Sequence, residues 1–121
     1  KVDFVGWIGA EEKHQLLMKS DVVVLPSYAE GLPMTVLEAM SYGKVVITTP
    51  VGATKDAIQH NVNGILVSPG DIDGLASAIS RTANEDVSSL ADQAYLDFNK
   101  SFHVEKIAER LADYYQELLC N

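Results

Sequence analysis

Cysteine is almost absent from this chain: its one copy, Cys120, sits one residue from the end. No disulfide framework and no cysteine-based metal site can be assembled from it, and a reducing cytoplasm is the simplest setting. Positive charge is scarce too. Nine lysines and arginines stand against 17 acidic residues, for a formal net charge of −8. That balance opposes nonspecific attachment to nucleic acid or to an anionic membrane surface. Apolar residues make up 47% of the chain, yet no run is long enough to cross a bilayer and no leader pattern opens it. His14, His60 and His103 are far apart and lack the paired spacing of a metal site. Neither a metal nor another cofactor is expected. Internal repeats and low-complexity tracts are lacking as well.

The chain has 121 residues, enough for one domain (1–121) with a core that needs no covalent staple. Residues 1–6 alternate apolar and polar and predict a strand in which Val2, Phe4 and Val5 pack. Residues 11–20 place Leu16 and Leu17 at helical spacing behind acidic residues suited to a helix start. The β-branched run 22–25 predicts a parallel strand buried on both faces, stopped by Pro26. A helix then follows Gly31, with Pro33 just inside its start and Gly43 just past its end. Val36, Leu37 and Met40 form its inward face.

Residues 45–48 predict another buried strand, 54–60 a short helix, and 65–67 a short strand bounded by Asn63-Gly64 and Pro69-Gly70. Asp71 suits the N-cap of a helix over 72–82. A further helix is expected over 88–97, and Ser101 can cap a last amphipathic one. Its apolar side is Val104, Ile107, Ala108, Leu111, Tyr114, Tyr115 and Leu118. Strands alternating with helices over short connections imply right-handed crossovers and a Rossmann-like, doubly wound parallel sheet. About four strands are expected, few for such a sheet. With the opening at Lys1, this reads as a domain lacking its first strand or strands, although a processed terminus looks the same.

The stretch 21–50 organises the rest. In an open α/β sheet, ligands bind at the carboxyl ends of the strands, and residues 30–35 occupy such a place after the strand that ends at Leu25. Free backbone N–H groups of Met34, Thr35 and Val36, with the positive end of the helix dipole, can hold an anion without a cationic side chain. Glu30 stands in the loop ahead of the helix, and Glu38 lies about 7 Å up the helix from Pro33. That spacing suits a ligand with hydroxyls on either side of a diphosphate. Carboxylates accept from sugar hydroxyls and repel phosphate, so amides belong at the phosphates. An acid ahead of a helix and an acid along it also suit plain dipole compensation and a solvated face. The spacing leaves both readings open.

The residues resemble a known family. Leu25-Pro26-Ser27, then Glu30-Gly31-Leu32-Pro33, Val36-Leu37-Glu38-Ala39-Met40, Gly43 and Val45-Val46-Ile47 are similar to the signature of retaining GT-B glycosyltransferases of the group 1, or family 4, type. Phe4-Val5-Gly6, Asp21, and Asn63-Gly64 ahead of Leu66, Val67 and Pro69 fit the same pattern. So does a last helix with paired tyrosines. The resemblance is strong to about Thr82 and weak beyond.

It implies the C-terminal, donor-binding domain of a GT-B fold in a bacterial hexosyltransferase. Such an enzyme moves a sugar from a nucleotide diphosphate sugar, UDP before GDP, to an acceptor hydroxyl with retention. By the resemblance, Glu30 meets the donor sugar and is the catalytic candidate, and Glu38 meets the ribose. Backbone groups of Gly31, Leu32, Met34, Thr35, Val36 and Leu37 meet sugar and phosphate oxygens. Trp7, Ile8 and Lys13 flank the base.

Partners implied are the donor, an N-terminal GT-B domain and a saccharide or lipid-linked acceptor, in polysaccharide or glycolipid synthesis. The setting is cytoplasmic, with peripheral attachment at the inner membrane face through the other domain. The 121 residues alone are then inactive. The alternative is a noncatalytic Rossmann-like interaction module derived from such a transferase. Two departures stand out. Gly52-Ala53 replaces paired glycines, and the arginine and lysine that grip the diphosphate in this family have no counterpart ahead of Phe4.

Overall fold

A computed structural model describes residues 1–120. The elements run α1 (Ala10–Lys19), β1 (Val22–Leu25), α2 (Met34–Ser41), β2 (Val45–Thr48), α3 (Thr54–Ala57), β3 (Ile65–Leu66), α4 (Ile72–Asn84), α5 (Ser88–Ser101) and α6 (Val104–Leu119). The strands form one parallel sheet in the order β1-β2-β3. Val22 lies opposite Val45 and Leu25 opposite Thr48, while Ile47 lies opposite Ile65. Parallel neighbours cannot be joined by a tight turn, and α2 supplies the crossover from β1 to β2.

β2 is the centre. All four of its residues are buried, and successive side chains point to opposite faces. Val46 packs with Val36, Leu37, Ala39 and Met40 of α2, with Ile58, and with Ala94 of α5. Val45 and Ile47 pack with Ile65, Ala78 of α4 and Leu90 of α5. Helices therefore cover both faces, the doubly wound arrangement. Gly43 delivers the chain from α2 into β2. Its φ is +60°, its N–H reaches the Met40 carbonyl at 3.0 Å, and the Lys44 N–H reaches that of Ala39 at 3.0 Å. This paired closure of a helix end favours glycine because it needs a left-handed residue.

Five expectations from sequence need correction. Residues 1–6 are extended but belong to no strand, and Phe4 is 95% exposed with Val2 and Val5 also exposed. An extended segment becomes a strand only by exchanging backbone hydrogen bonds with a neighbour, and no described residue supplies them, so three strands stand where about four were expected. β1 is half-buried, with Val24 exposed, because it lies at the sheet edge. The helix expected over 54–60 stops at Ala57, where Ile58 turns extended and enters the core.

α5 outlasts its expected end because Ala94, Phe98 and Phe102, four residues apart, continue one buried face. Ser101 therefore ends α5, and His103 caps α6, its imidazole accepting from the Glu105 N–H at 3.4 Å. Finally, no α6 residue is buried, and the expected packing face from Val104 to Leu118 lies exposed. The helix packs against α5, and no described element faces its apolar stripe. Asp71 does cap α4, accepting from the Gly74 N–H at 2.8 Å.

Candidate functional site

The carboxyl ends of β1 and β2 carry a loop, residues 26–33, that leads into α2. It is held from below by the end of β2. Thr48 donates its hydroxyl to the Leu25 carbonyl at 2.9 Å and Thr49 donates to the Ser27 carbonyl at 2.5 Å. Both threonines are buried, so these are bonds the protein would lose at full desolvation cost. Further along, the Ala53 N–H donates to the Gly31 carbonyl at 2.8 Å. Gly52, at φ +54°, lies so close that a Cβ there would stand 2.0 Å from the Glu30 carbonyl oxygen. With Ala53 in place of a second glycine, the close backbone approach is made by Gly52, and its target is the Glu30-Gly31 backbone.

Pro33 is the N-cap of α2, with φ −72° and ψ 110°, one position earlier than expected. Its carbonyl takes the first bonds of the helix, from the Val36 N–H at 3.1 Å and the Leu37 N–H at 3.5 Å. The Val36 amide is therefore engaged, a correction to the expected set of free donors. Gly31, Leu32, Met34 and Thr35 keep N–H groups with no acceptor among the described residues. All four of these residues are exposed. Met34 and Thr35 stand in the first turn, where the helix dipole adds positive potential.

Each carboxylate has one oxygen already occupied. Ser27 donates to Oε1 of Glu30 at 2.6 Å, and Nζ of Lys13 lies 3.0 Å from Oε1 of Glu38. Oε2 of each has no partner among the described residues. The second pair bridges α1 and α2. One turn along α2, Tyr42 meets His14 through its hydroxyl and the imidazole Nδ1, with the rings edge-on at 5.4 Å. Ile8 lies in a shallow apolar depression against Val5, Leu16 and Glu12. Trp7 is wholly exposed.

The structure thus places Glu30 and the open amides of the 31–35 segment at the carboxyl ends of the strands, with the Lys13–Glu38 pair further along α2. Ser27, part of the Leu25-Pro26-Ser27 motif, has its role in holding Glu30 from the structure and not from the sequence. Its spacing from Glu30, three residues on within a loop, was the available signal.

A family model described as "Glycosyl transferases group 1" matches residues 1–85. The chain belongs to this family. Among curated relatives, the Escherichia coli UDP-Gal:alpha-D-GlcNAc-diphosphoundecaprenol alpha-1,3-galactosyltransferase is 27% identical, over 97% of this chain and 30% of its own length. Among solved structures, sucrose-phosphate synthase from Thermosynechococcus elongatus superposes with a TM-score of 0.86 at 30% identity, over 98% of this chain and 30% of that one. Anabaena HepE, solved with UDP-glucose, gives 0.74 at 29% identity, over 85% of this chain and 29% of that one. The group 1 chain described here spans less than a third of the length of each. Its fold is the Rossmann-like α/β arrangement of GT-B glycosyltransferases.

Proposed function

We propose that these residues form the donor side of a retaining glycosyltransferase, which moves a sugar from a nucleotide diphosphate sugar to an acceptor hydroxyl. One observation carries the reading. Two carboxylates, each fixed by a partner and each with a free oxygen, bracket a helix start whose exposed amides have no acceptor of their own. The amides of Gly31, Leu32, Met34 and Thr35, with the Thr35 hydroxyl, take phosphate and sugar oxygens. Backbone groups of Val36 and Leu37 shape the floor. Glu30 accepts from hydroxyls of the transferred sugar, Glu38 from the ribose, and Trp7 and Ile8 border the base.

As the glycosidic bond to phosphate breaks, negative charge grows on the diphosphate, where fixed amide dipoles stabilise it without reorganising. The acceptor hydroxyl attacks from the face the diphosphate leaves and passes its proton to that leaving group. The protein's contribution is then mainly positioning. The reaction so written needs no metal cofactor.

The donor base is uracil in this reading, supported by the UDP-sugar named for the E. coli relative and the UDP-glucose bound by HepE. The acceptor is a saccharide or lipid-linked sugar held by a second GT-B domain, within polysaccharide or glycolipid synthesis at the cytoplasmic side of the membrane. Residues 1–121 alone bind donor without appreciable turnover.

Calorimetric titration with UDP, GDP and ADP, repeated on Glu38→Ala, tests the assignment. Binding of UDP that is lost with Glu38 supports it. Binding of none of the three by the whole protein overturns it.

A further inference from the structure

Lys13 and Glu38 come from different helices, 25 residues apart, and meet at 3.0 Å. Their side chains are 51% and 32% exposed, and a pair so placed adds little to stability. Its consequence lies elsewhere. A glutamate on an exposed helix turn samples many rotamers, and ordering it at the moment of binding costs conformational entropy. The ammonium fixes that carboxylate beforehand through Oε1 and leaves Oε2 free to accept. The next residue on α1, His14, meets Tyr42 one turn beyond Glu38, so the two helices are joined twice in matching register.

We propose that Lys13 is a positioning residue for the ribose end of the donor site, holding Glu38 by one oxygen so that the other receives the ribose hydroxyls of a nucleoside diphosphate. This rests on the donor-site reading above and replaces a direct contact between Lys13 and the base.

The test measures calorimetric affinities of the whole protein for UDP and for 2′,3′-dideoxy-UDP, in four forms: unaltered, Lys13→Met, Glu38→Gln and the double variant. Lys13→Met is expected to weaken UDP about threefold to tenfold, and the double variant to bind no worse than Glu38→Gln alone, the signature of one coupled unit. Affinity for dideoxy-UDP should be equal in all four forms, a result that mere loosening of α1 would not produce. Lys13→Arg should recover most of the loss.

If Glu38→Gln weakens UDP while Lys13→Met does not, the positioning role falls and the donor site stands. Equal weakening of both ligands by Lys13→Met also overturns it, because Lys13 would then act on phosphate or base. If Glu38→Gln changes nothing, or the unaltered protein does not bind UDP, the uridine donor reading falls, and this inference with it.

Discussion

Ser27 holds Glu30 by a single hydrogen bond, its hydroxyl 2.6 Å from Oε1 across one turn of loop. The same Ser27 is held in turn through its carbonyl by the buried Thr49 hydroxyl. Position of the Glu30 carboxylate therefore passes from the end of β2 through Ser27.

Removing the link should separate the sugar from the nucleotide. Ser27→Ala is expected to lower affinity for a UDP-sugar about fivefold, the worth of one hydrogen bond of about 1 kcal/mol, and to leave UDP affinity as it was. Parallel titrations with UDP and UDP-glucose read the difference. An equal loss for both would place Ser27 elsewhere than behind Glu30.

Gly52→Ala should harm both folding and binding. A left-handed residue with a Cβ costs about 1–2 kcal/mol, and here the Cβ would also stand 2.0 Å from the Glu30 carbonyl oxygen. A loss of more than about 2 kcal/mol in urea unfolding is expected. A smaller loss would mean that the 26–33 loop yields easily.

Thr54 presents the reverse case. Its hydroxyl is buried with no hydrogen-bond partner among the described residues. Replacing an unsatisfied buried hydroxyl by a methyl group of similar shape removes a desolvation cost of about 1–3 kcal/mol. Thr54→Val should therefore unfold at equal or higher urea concentration, whereas Thr54→Ser, which keeps the hydroxyl and loses the methyl, should unfold at lower. Destabilisation by valine would reveal a partner for that oxygen.

The hydroxyl and N–H of Ser88 hold the Asp86 carboxyl below its ordinary pKa of 3.8. A depressed folded-state pKa stabilises the fold above the unfolded value, and that contribution is lost as pH falls through the folded one. Carboxyl titration followed by NMR should place the Asp86 midpoint below 3.8, and Ser88→Ala should move it up. An unmoved midpoint would assign the shift to the position-88 N–H rather than to the Ser88 hydroxyl.

Much of this architecture was legible because its causes are local. The β-branched runs of β1 and β2, the Asp71 cap of α4 and the glycine stop of α2 each follow from a few neighbouring residues. Residues 1–6 misled because alternation expresses a capacity to pair, and pairing depends on distant chain. The apolar stripe of α6 misled in the same way, since periodicity reports a face and not what covers it. The α5 boundary slipped because Phe98 and Phe102 earn their helix by reaching the core. At the site, the placement of Glu30 and Glu38 on either side of the helix start followed from spacing. Lys13 on Glu38 could not, since that contact exists only once α1 lies beside α2.

The threonines at the end of β2 make the site sensitive to arithmetic. Thr48 and Val46 share one face of the strand and Ile47 takes the other, so deleting or inserting a single residue between Val45 and Thr49 would exchange those faces. The sheet's apolar strand could survive such a slip with a repacked core. The loop above it could not, because the hydroxyls that now meet the Leu25 and Ser27 carbonyls would turn to the opposite faces of the sheet. Change can therefore be absorbed at this site residue for residue, while the length of the strand beneath it cannot vary.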